Sequence, residues 1–318
     1  MNFIEHVGKE LLRDHGINTP KGIVVHTPQE AAHAQASLGN VVIKAQVPTG
    51  KRGKAGGIQL CNMPEACEAI AAKILAMHID EHAVESLLIE QQVPIAHEYY
   101  LAVINDATQK AAAIIFSPFG GMDIEEMSAK DAGAVRRCIL PISSGFSAEK
   151  FRESLDGLTL GIAVDDLIAI ARQLYAAYVA SDAELLEINP LVITENSDLL
   201  ALDCKFVMDD SALVRQEVLA ARGTPDKATD LELQAQELGL KYIELDGNIG
   251  ILANGAGLTM TSMDMVRHHG GQPANFLEIG GDAYTKGTEA LKLVLANKRV
   301  KSLVINFCGA FARTDVMT

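Results

Sequence analysis

Residues 44–57 read KAQVPTGKRGKAGG. Four cations (Lys44, Lys51, Arg52, Lys54) and four glycines (Gly50, Gly53, Gly56, Gly57) fall in these fourteen residues with no acid among them, in a chain of formal charge −14. A short apolar run, NVVIKAQ at 40–46, leads into the loop, and IQLC at 58–61 returns from it as a second strand. Backbone N–H groups relieved of Cβ crowding can curl around phosphate oxygens while Lys and Arg neutralise them. The Walker pattern G-x-x-x-x-G-K-[ST] is absent, so this is not a P-loop. A solvated surface loop is the competing reading. Lys44 speaks against it, because a charge inside a strand needs a partner.

Composition bounds what surrounds the loop. The 318 residues allow two or three domains, and 48% apolar against 21% charged residues is enough to bury real cores. A pI near 5.1 argues against nucleic acid as the main partner. No apolar run has the length of a membrane span. The opening MNFIEHVGKELLRDHG carries acids and reads as an amphipathic helix, with Phe3, Ile4, Val7, Leu11 and Leu12 on one face, rather than as a signal or transit peptide. Five scattered cysteines without a C-x-x-C pair make no disulfide framework or zinc module, which suits a reducing cytoplasm.

Strands are expected at 20–25, 40–46, 58–61, 86–92, 97–105 and 110–116, and helices at 28–39, 63–77 and 164–180. Thr27, Pro28 and Gly39 supply the cap, first turn and stop of the first of these helices. LLEINPLVIT and LLALDCK read as two strands joined by the turn ENSD. Residues 209–247 read as a charged helical connection. After Gly247 the rhythm becomes strand–helix–strand–helix–strand, a parallel α/β unit with three strands, which needs a further segment or a partner to complete it.

Three more features carry chemistry. The hairpin 185–205 brings Glu187, Asn189 and Asp203 together, oxygen donors that suit Mg²⁺ with substrate phosphates supplying the rest. A polar strand edge is the bland alternative. ANGAGLTM at 253–260 follows a strand and opens a helix, a place for an anion. Met260 stands where a dinucleotide fingerprint needs its third glycine, which weighs against a nicotinamide enzyme. His268–His269 fit ordinary helix-end electrostatics, and Cys308 fits a small buried apolar residue better than a reactive thiol.

Taken jointly, KAQVPTGKRGKAGGI, FGGMDIEE, LLEINPLVIT with LALDCK, and DGNIGILANGAGLTMTSMDMVRHHGGQPANFLEIGG make the chain, from Met1 to Asp315, resemble a known family. It is similar to the β subunits of succinyl-CoA synthetase, the ADP-forming succinate–CoA ligase, and to relatives acting on malate or citrate. The resemblance implies an α/β chain with an ATP-grasp domain at 1–236 and an incomplete flavodoxin-like CoA-ligase domain at 237–318. It implies that ATP, a small carboxylic acid (succinate first) and CoA give acyl-CoA, ADP and phosphate. The phosphate passes through a phosphohistidine on an α subunit that also carries the CoA site, in an αβ or α2β2 heteromer. None of the nine histidines here stands in the glycine-rich setting of that nucleophile.

By the same resemblance Lys44 holds nucleotide phosphate and Lys51, Arg52 and Gly53 close over it. Glu90 and Glu98 flank base and ribose, and the backbone near Val93 faces the adenine. Asn189 and Asp203 bind Mg²⁺, and Glu187 orients the phosphohistidine. Asn254 and the segment Ala310, Phe311 and Ala312 meet the organic acid and phosphate. Two departures from the family pattern stand out, the first adding charge that tightens phosphate binding and the second bearing on substrate. The usual G-R-G of the loop reads Lys51-Arg52-Gly53, and the usual G-G-I at the acid site reads Gly309-Ala310-Phe311. The larger Phe311 reshapes that pocket, so malate, citrate or a sulfonated acid stands as the alternative substrate. A nucleotide-binding subunit without turnover is the second alternative. A carboxylate–amine ligase is the third, and the unit after Gly247 argues against it.

Overall fold

The structure is a computed structural model and describes residues 1–50, 52–122, 124, 133–225, 228–279 and 285–309. Its contacts divide the chain into two compact units, Met1–Pro225 and Asp226–Thr318. Among the described residues no helix is long and apolar enough to cross a membrane.

The larger sheet of the first unit contains β1 (Asn2–Phe3), β8 (Ile95–Asp106), β9 (Ala111–Ser117), β10 (Arg136–Leu140), β11 (Ala183–Thr194), β12 (Leu199–Ala201) and β13 (Lys205–Met208). Its order is β1-β13-β11-β8-β9-β10, with β12 beside β11, and every pairing is antiparallel. The smaller sheet, ordered β2-β7-β3-β4, is built from β2 (Gly22–Val25), β3 (Val41–Ala45), β4 (Ile58–Cys61) and β7 (Leu87–Gln91), again all antiparallel. A two-strand ribbon of β5 (His78–Ile79) and β6 (His82–Ala83) lies between them in sequence.

The helices follow their local signals. In α2 (Pro28–Leu38) the Thr27 hydroxyl accepts from the Glu30 N–H while Glu30 reaches back to the Thr27 N–H, and Gly39, at φ +82°, stops the turn. With α3 (Pro64–Leu75) it covers the smaller sheet over Val41, Ile43, Cys67, Ala71, Ile74 and Ile89. The larger sheet is covered by α1 (Glu5–Asp14), α4 (Ala148–Ser154) and α5 (Val164–Ala180), which close its core over Leu12, Phe116, Phe151, Leu174, Leu186 and Phe206. The first helix begins at Glu5, and Phe3 belongs to β1, where its ring stacks on Phe206 at 4.3 Å. Gly8 faces Cys204 so closely that a Cβ there would lie 2.7 Å from the thiol sulfur. Leaving out the methyl is what lets α1 lie against the start of β13.

Two expectations change here. LLALDCK is not one strand. β12 pairs with β11 at Leu191–Ile193, β13 pairs with it between Ala183 and Glu187, and Leu202–Cys204 bend across the gap. Opposite that bend the β11–β8 register shifts between Ile188 and Leu191, a bulge at Asn189–Pro190, whose peptide is cis. Proline offers no N–H to a ladder, so the pairing must break there. β10 is a further strand, whose sequence RRCIL lacks clean alternation.

The second unit contains α7 (Asp230–Glu237), β14 (Lys241–Glu244), β15 (Ile249–Asn254), α8 (Ala256–His268), β16 (Asn275–Ile279), α9 (Gly287–Ala296) and β17 (Ser302–Asn306); the short α6 (Glu217–Ala220) belongs to the first. The sheet order is β14-β16-β15-β17. The three expected strands are parallel, and β14 adds an antiparallel edge that the charged stretch 209–247 had concealed. The boundary expected at 236 falls inside α7. That helix packs Ala235 into the core of the second unit beside Tyr242, Leu252, Leu277 and Leu293, which puts the division at Pro225–Asp226.

Phe116 is fully buried, 5.7 Å from the Tyr99 ring and edge-on to Phe151 at 6.5 Å. Phe116→Ala should cost about 3–5 kcal/mol in urea unfolding, and an unchanged midpoint would contradict this assignment of the core.

Candidate active site

A cavity of about 1000 Å³ opens within the first unit. The smaller sheet supplies Lys44 from β3 and Glu90 from β7. Val42 stands opposite Glu90 and Lys44 two residues further along, so the two charged side chains are diagonal neighbours on one face. The larger sheet supplies Tyr100 from β8, Glu187 and Asn189 from β11, and Asp203 from the bend before β13. The glycine-rich loop brings Arg52, and α1 brings Glu5 into the wall with Lys9 directly behind it.

These groups form one buried ion network. Lys44 Nζ donates to Glu5 Oε1 at 2.9 Å, Glu90 Oε2 at 2.7 Å and the Leu202 carbonyl at 2.5 Å. Lys9 Nζ reaches Glu5 Oε1 at 2.8 Å, Glu90 Oε1 at 2.5 Å and the same carbonyl at 2.7 Å. Arg52 donates from Nη1 to Glu5 Oε2 at 2.6 Å and to the Ala45 carbonyl at 3.1 Å, and from Nη2 to both oxygens of Asp203 at 2.7 Å. Burial alone would raise the Glu5 carboxyl, but Lys44, Lys9 and Arg52 hold it well below the usual range. Burial opposes the charge on Lys44 and Arg52, yet Glu5, Glu90 and Asp203 raise Lys44, and Asp203 and Glu5 raise Arg52.

Glu187 lies outside this network. Burial pushes its carboxyl above the ordinary range, although the Tyr100 hydroxyl donates to it at 2.9 Å. Asn189 fixes the neighbouring loop, accepting from the Gly121 N–H at 2.8 Å and donating to the Met122 carbonyl at 3.0 Å.

Of the residues singled out from sequence, Lys44, Arg52, Gly53, Glu90, Val93, Glu187, Asn189 and Asp203 all line this cavity. Glu90, expected beside base and ribose, spends both oxygens on Lys9 and Lys44, so what it does here is position lysines. Glu98 is not in the wall. It shares the Tyr100 face of β8, but Gly121 packs against its carboxylate, and a Cβ at Gly121 would stand 2.4 Å from Glu98 Oε2. Asn254 belongs to the second unit, where its amide exchanges two hydrogen bonds with the Cys308 backbone, at 2.7 and 2.8 Å. Lys51, Ala310, Phe311 and Ala312 lie outside the described residues. Sequence reading missed Glu5, Lys9 and Tyr100. The signal for the first two was there: Glu5, Lys9 and Leu12 follow one helical stripe, which sets two charges in line with a core leucine.

Asn189 and Asp203 present an amide and a carboxylate oxygen to one cavity, a donor set that fits Mg²⁺, which takes one or two protein oxygens and completes its shell with phosphate and water. Among the described residues no group of three or more His, Cys, Asp or Glu could hold a metal without such help.

Comparison with known proteins adds the family. Residues 2–193 match the ATP-grasp domain model and residues 252–317 the CoA-ligase model. A succinate–CoA ligase [ADP-forming] subunit beta of Rubrobacter xylanophilus is 42% identical, covering 99% of this chain and 83% of that protein. A succinate–CoA ligase [GDP-forming] subunit beta of Thermus thermophilus is 41% identical over 99% of this chain and 84% of its own length. Among solved structures, ATP citrate lyase from Methanothrix soehngenii, in complex with citrate and coenzyme A, superposes with a TM-score of 0.64 at 20% identity. That match covers 98% of this chain and 81% of the other and speaks for the fold alone.

The two displaced carboxyls make opposite pH signatures. Glu5, depressed in the folded state, contributes stability above the ordinary carboxylate pKa and loses it as pH falls through the folded value. Glu187, raised, contributes below the ordinary value and loses that contribution as pH rises through its folded value. Denaturation midpoints should therefore show Glu187→Gln gaining on the wild type as pH rises above the ordinary carboxylate value, and Glu5→Gln gaining on it as pH falls below that value, in a scan carried down into the acid range. Parallel profiles would refute both environments.

Proposed function

This chain belongs to the family of succinate–CoA ligase β subunits, with its ATP-grasp and CoA-ligase domains, and from that premise we propose that it is the nucleotide-binding subunit of an ADP-forming acid–CoA ligase. ATP or ADP occupies the cavity of the first unit, and an α subunit carries the histidine that is phosphorylated and the CoA site. Succinate is the acid the family favours; malate, citrate or a sulfonated acid is the alternative. An αβ or α2β2 heteromer in the cytoplasm completes the reading.

The observation that carries it is the convergence of Lys44 and Arg52 with Asn189, Asp203 and Glu187 on one cavity, from two sheets and a glycine-rich loop. Phosphoryl transfer needs little covalent help from protein, so positioning and charge neutralisation supply most of the catalysis. In this reading Lys44 and Arg52, with Lys51 and the Gly53 backbone, hold the phosphates, and the wall near Val93 holds the base. Glu90 acts through Lys44. Asn189 and Asp203 hold Mg²⁺, which when bound neutralises charge on the nucleotide phosphates. Tyr100 fixes the Glu187 carboxyl, and that carboxyl accepts a hydrogen bond from the α-subunit imidazole, setting the ring's orientation and favouring its charged form. Asn254 and Ala310–Ala312 contact the acid and phosphate.

Mixing the chain with its α subunit, Mg²⁺–ATP, CoA and a panel of acids should release ADP with succinate or one of its alternatives. Asp203→Ala should abolish phosphorylation of the α subunit, and Glu187→Gln should slow it by roughly 10²-fold. Undiminished phosphorylation in Asp203→Ala would remove the metal assignment. ATP binding without turnover on any acid would move the chain to a nucleotide-binding role.

A further inference from the structure

The ion network is balanced without a nucleotide. Lys9, Lys44 and Arg52 face Glu5, Glu90 and Asp203, three cations against three carboxylates. Arg52 closes the balance. Its Nη2 holds both oxygens of Asp203, the carboxylate assigned above to the metal, while its Nη1 stays on Glu5 and the Ala45 carbonyl. A guanidinium gripping both oxygens of a carboxylate fills the coordination directions a divalent ion would use. We propose that Arg52 is a place-holder for the divalent cation: it occupies Asp203 until a nucleotide-borne metal displaces it, and the freed guanidinium, still tethered to Glu5, turns to the phosphates. The inference rests on the reading of Asp203 as a metal ligand.

Three features support it. The Arg52 side chain is 7% exposed and that of Asp203 31%, so little water screens the repulsion between the guanidinium and a divalent ion placed on the same two oxygens. The arginine's other nitrogen is anchored independently, on a Glu5 carboxylate with no exposed side-chain surface, which keeps the guanidinium in the cavity after it leaves Asp203. The Arg52 carbonyl is held by the Gly57 N–H at 2.9 Å, so the exchange needs only the side chain to turn, beside two uncrowded glycines. A Cβ at Gly50 would meet nothing within 4 Å, and one at Gly53 only Ile58 Cδ1 at 3.9 Å, so crowding does not demand these glycines and backbone freedom is what they supply. The exchange couples metal to phosphate: the ion that takes Asp203 releases the positive charge the nucleotide needs. Nucleotide without metal meets an arginine that is already engaged.

The test titrates Mn²⁺ into the full chain with and without ADP, following free Mn²⁺ by electron paramagnetic resonance, for the wild type, Arg52→Ala, Arg52→Lys and Asp203→Ala, each checked for folding by circular dichroism. Without ADP, Arg52→Ala should bind Mn²⁺ roughly tenfold more tightly than the wild type. Arg52→Lys keeps a cation but has one nitrogen where arginine uses two, Nη1 for Glu5 and Nη2 for Asp203, so it should fall between the two and carries the test if the alanine variant does not fold. Asp203→Ala should lose the tight ADP–Mn²⁺ complex. Equal nucleotide-free affinities in the wild type and the Arg52 variants, with Asp203→Ala still weakening the ADP complex, would overturn the place-holder and leave the metal assignment standing. An ADP–Mn²⁺ complex untouched by Asp203→Ala would overturn both.

Discussion

Two lysines, from α1 and β3, donate to one carbonyl oxygen, that of Leu202. Everything else about the site depends on that carbonyl facing inward. It can do so because the Asn189–Pro190 bulge interrupts the ladder of β11: in the bend between β12 and β13 the Leu202 N–H reaches back to the Pro190 carbonyl at 3.0 Å while the Leu202 carbonyl takes the two lysines. The same bend carries Asp203 into the cavity, and the same bulge places Asn189 on its wall. One interruption in sheet pairing thus joins an N-terminal helix, a small sheet and a large sheet around a common set of charges.

Such a network is a poor way to gain stability. Taking ions out of water costs several kcal/mol each, and close pairing little more than recovers it. A packed cluster of leucines in the places of Glu5, Lys9, Lys44 and Glu90 would hold the elements together as well. What leucines could not do is keep three positive charges in a nearly dry space, aligned and without a chloride or phosphate to hold them there. The carboxylates serve as stand-ins for an anion, which keeps the cavity organised when no anion is bound.

Much of this was legible in the sequence because it rested on local rules. Thr27, Pro28, Glu30 and Gly39 mark out α2 by capping and backbone chemistry alone, and the glycine-rich loop between two apolar runs marks the hairpin that β3 and β4 form. The alternation after Gly247 gave the parallel strands. What stayed hidden was non-local. Nothing about KYIE announces that it will pair antiparallel with β16, and no periodicity shows that Glu5 and Lys9 will meet Glu90 from a strand some eighty residues away. The role expected for Glu90 shifted for the same reason: a carboxylate facing a nucleotide cavity and one tied to two lysines have the same local sequence.

Cys204 follows Asp203 directly, and α1 presses Gly8 onto its sulfur. Burial, with Asp203 adding to it, pushes the thiol well above its ordinary pKa, so in the closed arrangement it is shielded and almost never a thiolate. An alkylating reagent that modifies it must wait for a local opening, around α1 or from the cavity that Cys204 also lines. The rate of that labelling is thus a clock for local opening, built in beside the cavity. Comparing it with and without bound nucleotide would convert a buried side chain into a gauge of how firmly the site is shut.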